Sequence, residues 1–145
     1  MTRNGSVMAR RLEMRDVEVK VYDKQVYPTH FDEANNQFKG NVASKNGSIY
    51  ITYKDTVTGV TTIIKTVDKG VVVKRIGAMN GQLVFERGKI HTTQYATPYG
   101  MMPLEIKTNK CDIYLLEKGV KIYIEYMIFM DNEKVSDNTF MVITN

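Results

Sequence analysis

The stretch Val60-Thr-Thr-Ile-Ile-Lys-Thr-Val-Asp-Lys-Gly-Val-Val-Val-Lys-Arg-Ile76 decides the fold. Its two halves are rich in β-branched residues and are separated by Asp68-Lys69-Gly70, an acid, a base and a glycine. The same punctuation returns as Glu86-Arg87-Gly88 and Glu117-Lys118-Gly119. A glycine at the last position of a short loop supplies the positive φ that a hairpin with a bulge requires. The spacing predicts Val60–Val67 and Val71–Ile76 as one hairpin, Gln82–Phe85 with Lys89–Thr97 as a second, and a chain that is a meander of antiparallel strands.

Working outward, Leu12–Tyr22 reads as a strand with Val17, Val19 and Val21 on one face and Asp16, Glu18 and Lys20 on the other. From Asp23 to Asn36 the alternation stops, and Pro28, Thr29, Asp32, Asn35 and Asn36 predict a loop. Within it, one helical turn around His30–Ala34 is expected to begin at Thr29 and to cover a barrel end. Phe38–Ala43 and Ser48–Lys54 follow as strands about the turn Asn46-Gly47, with Ile49, Ile51 and Tyr53 sharing a face. Met101–Lys107, Cys111–Leu116, Val120–Met130 and Lys134–Thr144 complete the series. Neighbouring strands joined by short loops at a spacing of about ten residues point to an up-and-down barrel or a sandwich. Closure removes exposed edges, so the expected fold is all-β, a closed antiparallel up-and-down barrel of about eight to ten strands with little helix.

The 145 residues suit one domain. Residues 1–15 carry Arg3, Arg10, Arg11 and Arg15 against Glu13, a net of +3 of the chain's +4. They read as a basic, flexible arm ahead of a barrel domain at 16–145 that is nearly neutral. A basic arm grips phosphate without sequence preference, but a solvated terminus is the commoner meaning, and nucleic acid is not the expected partner. Cys111 stands alone, so no internal disulfide forms, and no run reaches the roughly 18 apolar residues of a membrane helix. The interruptions within Met1–Arg15 do not read as a secretory leader, so the expected location is cytoplasmic and no membrane is expected as a partner.

Chemistry-bearing clusters are sparse. His30, His91 and Cys111 lack the close pairing of metal ligands, and His91 has no serine or cysteine beside it in sequence. Phosphate-binding and nucleophile-elbow motifs are missing, so neither catalysis, a metal nor a cofactor is expected. The apolar run Tyr126-Met-Ile-Phe-Met130 shows no polar face. It calls for an outer cover, either the protein's own arm or loop or, through Tyr126, Ile128, Phe129 and Met130, a second copy in a homodimer.

Arg75 is ambiguous by parity. It alternates with Val71 and Val73, which would aim it inward to hold a carboxylate, but Val72 and Ile76 alternate equally well. The pattern alone favours a surface base, free in solvent or paired with Glu86 or Glu105. Thr97-Pro98-Tyr99-Gly100 is a tight turn, and His91, Thr93, Tyr95 and Thr97 share one parity leading into it.

Arg75-Ile-Gly77, Gln82-Leu-Val-Phe-Glu-Arg-Gly-Lys89 and His91 to Thr108, with Tyr95-Ala-Thr-Pro-Tyr-Gly100 as the most specific part, resemble the bacterial YwiB-like family. That family is of unknown function and is similar in fold to the lipocalins and fatty-acid-binding proteins, the calycins. The resemblance implies a calycin-like barrel. It suggests Tyr95 as the companion of Arg75 in holding the polar end of a small apolar or amphipathic, anionic guest, with His91, Thr93 and Thr97 nearby. The Gly-x-Trp signature of true lipocalins is absent, since the chain has no tryptophan. The alternative is a non-enzymatic structural or interaction barrel with a filled lumen.

Overall fold

The computed structural model describes residues 14–78 and 80–145. Ten strands follow one another: β1 (Met14–Val26), β2 (Phe31–Lys45), β3 (Ser48–Asp55), β4 (Val60–Val67), β5 (Gly70–Gly77), β6 (Gly81–Glu86), β7 (Ile90–Thr97), β8 (Gly100–Leu116), β9 (Gly119–Met130) and β10 (Glu133–Thr144). The described residues include no helix, and hence none long and apolar enough to cross a membrane. All pairings are antiparallel, in the order β6-β5-β4-β3-β2-β1-β10-β9-β8-β7. The first strand therefore pairs with the last, Val19 opposite Thr144 and Val21 opposite Val142. The sheet curls into a nearly closed all-β barrel.

Closure takes an unexpected form. β6 and β7 were expected to pair as a hairpin, but each is an outer strand of the sheet, and the barrel's seam lies between them. The seam is stitched by separate contacts. Gly88 N–H donating to the Thr108 carbonyl at 2.8 Å and Thr108 N–H donating to the Lys89 carbonyl at 3.2 Å carry the β7–β8 ladder back into the turn, and among the described residues only side chains cross from β7 to β6. The Thr93 hydroxyl donates to the Gln82 carbonyl at 3.0 Å, and the His91 ring lies 2.8 Å from the Glu86 carboxylate. A shared turn places two strands side by side without obliging them to form a ladder.

The expected loop at Asp23–Asn36 and its helical turn are not present. β1 continues to Val26, a tight turn at 27–30 is closed by Tyr27 N–H to the His30 carbonyl at 2.8 Å, and β2 begins at Phe31. β3 pairs with β2 only from Gly40 onward, so residues 31–37 have a strand on one edge only and are all exposed. Backbone pairing from Asp23 opposite Ala34 to Val26 opposite Phe31 holds the ribbon, together with the Tyr22 hydroxyl, which donates to Glu33. Likewise Met101–Lys107 and Cys111–Leu116 are one strand, β8, with a register shift between Thr108 and Lys110. The proposed arm falls mostly in residues 1–13, outside the described residues, whereas Met14 and Arg15 already belong to β1.

The turns follow their sequence chemistry with one exception. Asn46 and Gly47 take φ of 52° and 82°, as a two-residue hairpin turn demands, and Asp131 and Asn132 do the same job at 51° and 64°. Gly70 has no positive φ. It is required because a Cβ there would sit 1.9 Å from the carbonyl oxygen of Phe85 on β6.

Alternation along each strand sends one set of side chains inward. Val17, Val19, Ile51, Ile64, Val71, Val73, Phe85, Ile122, Ile124 and Val142 form a continuous core. These residues fill the barrel toward the end that carries the turns at Asn46, Asp68 and Glu117. Toward the opposite end, where the β1–β2 and β5–β6 connections lie, the inward positions become polar: Asp23, Tyr53, Thr62, Arg75 and Asn138.

Candidate functional site

Arg75 marks the boundary between the apolar core and the polar end. On β5 the inward set is Val71, Val73 and then Arg75, since Val71 and Val73 are fully buried and Ile76 is exposed. This overturns the surface reading of Arg75. Val72 is apolar although it faces outward, half-buried, which is why parity alone misassigned the strand. Arg75 stands opposite Thr62 on β4 and Gly81 on β6.

Two cavities meet at its side chain. One, about 280 Å³, lies behind the seam and is walled by Val73, Leu83, Leu104, Ile106 and Ile128, with Met101 and Thr93 at its rim. The other, about 250 Å³, is more polar and is lined by Asp23, Asn36, Tyr53, Asp55 and Thr62 beside Phe38 and Phe140. Each volume alone falls just below the roughly 300–1,000 Å³ range of small-molecule sites. A more voluminous depression of about 540 Å³ near Asn145 is bordered by Asp16, Glu18, Lys39 and Asn41 and has little apolar wall.

Among the described residues, none makes a hydrogen bond or ion pair with Arg75. Its five donors in a planar fork are left for something else. Its charge acts on Asp23 across the polar cavity, without an ion pair between them. Burial pushes the Asp23 carboxyl above its ordinary value, offset by the guanidinium of Arg75 and by a 2.8 Å hydrogen bond from the Gln25 amide. Burial likewise raises the Tyr53 phenol, with Thr62 and Arg75 pulling the other way. Tyr126 is also raised by burial, and its ring lies 4.7 Å from that of Phe85.

The residues singled out from the sequence divide. Arg75 and Thr93 share the seam cavity. His91 lines neither cavity, because its ring turns to Glu86 and closes the seam. The side chains of Tyr95 and Thr97 lie outside the described residues; their backbones pair with Met102 and Gly100. Tyr126 and Ile128, named for an outer contact, face inward: Tyr126 is buried and Ile128 lines the seam cavity. Phe129 and Met130 are half-buried. Sequence reasoning missed Asp23, although an acid continuing the Val17, Val19, Val21 face was the available signal. It also missed Thr62, which shares the inward parity of Ile64. No group of three His, Cys, Asp or Glu side chains among the described residues is arranged to hold a metal.

The fold and site define a small ten-stranded barrel with a filled apolar half and an arginine at the floor of an open polar half. Residues 17–142 match the model of the family described as domain of unknown function DUF1934, and the chain belongs to that family. It is similar to the crystal structure of the YwiB protein from Bacillus subtilis, with a TM-score of 0.80 at 18% identity over 94% of this chain and 96% of that one. No curated protein matches the sequence.

Proposed function

We propose that the barrel binds one small amphipathic anion, with its charged group on Arg75 and its apolar part in the seam cavity. The observation that carries this is the inward guanidinium without a partner among the described residues, placed where an apolar wall begins. A half-buried cation left unpaired is costly, and a carboxylate, sulfonate or phosphate accepting two parallel N–H bonds offsets that cost. The aliphatic wall of Val73, Leu83, Leu104, Ile106 and Ile128 favours a chain or ring over a fully polar guest. Asp23 on the other side of Arg75 excludes a second negative group and accepts a hydroxyl or amine donor from the ligand.

The reading is of binding, not catalysis. It is tested by displacement of a fluorescent fatty-acid probe by decanoate, with native mass spectrometry of the purified chain alongside. Binding is expected in the wild type and a loss of at least tenfold in Arg75→Ala. A probe that does not bind, or binds Arg75→Ala equally well, would end the proposal and leave a barrel that acts through its surface.

A further inference from the structure

Among the described residues, no strand is hydrogen-bonded to the second half of β8 along one edge, although β6 packs close to β8. β7 pairs with β8 only as far as Lys107, opposite Ile90, and from Lys110 to Leu116 the ladder runs to β9 alone. The β6–β7 turn reaches Asp112 through Arg87, at 4.0 Å, and ends there. Beyond it Ile113, Tyr114, Leu115 and Leu116 are 36%, 47%, 74% and 44% exposed, on both faces of the strand. Outside β9, none of them hydrogen-bonds to another described residue. An edge with open N–H and C=O groups and four consecutive apolar side chains is a template for another strand.

We infer that this edge pairs antiparallel with the same edge of a second copy, about a two-fold axis at Ile113. A two-fold axis normal to the sheet keeps inner faces with inner faces, so each residue can oppose only one of its own parity. Centred on Ile113, the register sets Ile113 against itself, Cys111 against Leu115, Asp112 against Tyr114 and Lys110 against Leu116. Moving the centre to Tyr114 opposes Lys110 to Lys118 and Cys111 to Glu117, and a centre at Leu115 runs off the strand, which ends at Leu116. A centre at Asp112 calls on Thr108, whose carbonyl already accepts from Gly88.

The charges agree with the Ile113 register. Lys121 lies over the Tyr114 ring, with Nζ 5.5 Å from its centroid, so the Asp112 carboxylate of the second copy arrives beside a cation. No like charges face one another. The strands thereby satisfy each other's open backbone groups and cover the apolar run, which no charged residue interrupts between Asp112 and Glu117.

Sedimentation equilibrium of the full chain is expected to give about twice the 16.6 kDa chain mass, and Leu115→Glu about that mass itself with an unchanged far-ultraviolet circular dichroism spectrum. In a Cys111→Ser background, Ile113→Cys is expected to cross-link into a disulfide dimer under mild oxidation, whereas Leu116→Cys is not, because its copies lie far apart in this register. The cysteine pair decides the matter if Leu115→Glu does not fold. A monomeric wild type, whether its edge is bare or covered by its own residues 1–13, overturns the inference. So does a dimer that survives Leu115→Glu, or equal cross-linking at both positions.

Discussion

Asp23 and Arg75 sense each other's charge inside the barrel and yet form no ion pair. The consequence is a pH dependence with a definite sign. Burial, the largest cause, raises the folded-state carboxyl above its ordinary value of 3.8, so the folded chain holds this proton more tightly than the unfolded one. Its charged form therefore costs stability at neutral pH, a cost relieved as pH falls through the raised value. A sulfonate ligand stays anionic through that window, and its repulsion from Asp23 is removed at the same time. At an effective dielectric constant of about 20 and roughly 10 Å the repulsion is about 1.7 kcal/mol before solvent screening of a part-exposed group and on the order of 1 kcal/mol, about fivefold in affinity, after it. Decanesulfonate should bind up to about fivefold tighter at the lowest pH at which the chain stays folded than at pH 7, and Asp23→Asn should flatten the profile. Isothermal titration at the two pH values reads both.

Gly70 and Gly88 close two similar turns for different reasons, and their alanine variants should differ. A Cβ on Gly70 meets Phe85 backbone at 1.9 Å, whereas Gly88 has φ 77° and open space around it. Gly70→Ala should lose about 1–3 kcal/mol or more through forced backbone displacement, and Gly88→Ala about 1 kcal/mol from strain alone. Urea denaturation of the two variants orders them.

Thr108 is fully buried and its hydroxyl has no hydrogen-bond partner. Replacing it by valine keeps the shape and removes the desolvated oxygen, so Thr108→Val should stabilise by about 1 kcal/mol. By contrast Ile122→Ala, at a core position with no exposure, should lose about 2–5 kcal/mol. Thermal unfolding separates the signs.

The seam should open before the rest of the barrel. β6 and β7 meet through a few side-chain contacts, whereas β1 is laddered to β2 along its whole length and to β10 from Val19 to Val26. Backbone amides of β6 and β7 that face the seam should exchange with deuterium sooner than those of β1 and β10. Thr93→Val, which removes the bond to the Gln82 carbonyl, should speed β6 exchange further.

The sequence made the barrel legible where one face meets water. Val17, Val19 and Val21 against Asp16, Glu18 and Lys20 declared an inside and an outside, and Asn46-Gly47 declared its turn. Legibility failed where that contrast was missing. Residues 31–37 have a strand on one edge only and are dominated by Asp32, Glu33, Asn35, Asn36 and Gln37, so a paired ribbon resembled a loop. Val71, Val72 and Val73 are apolar on both faces, so the direction of Arg75 could not be read from them. The punctuation at Glu86-Arg87-Gly88 specifies a turn and carries no information about which strand β6 or β7 pairs with. For the same reason the cavity between them, formed by residues distant in sequence, left little trace beyond Arg75 and Thr93.

The most direct test of the account is the side-chain Nε–H resonance of Arg75, followed by nuclear magnetic resonance as decanoate is added to the purified chain. The account predicts a large shift that saturates at one equivalent, with accompanying changes at Leu104, Ile106 and Ile128 and none at Val19 or Ile122. A resonance that stays in place while decanoate binds elsewhere, or no binding at all, would contradict it.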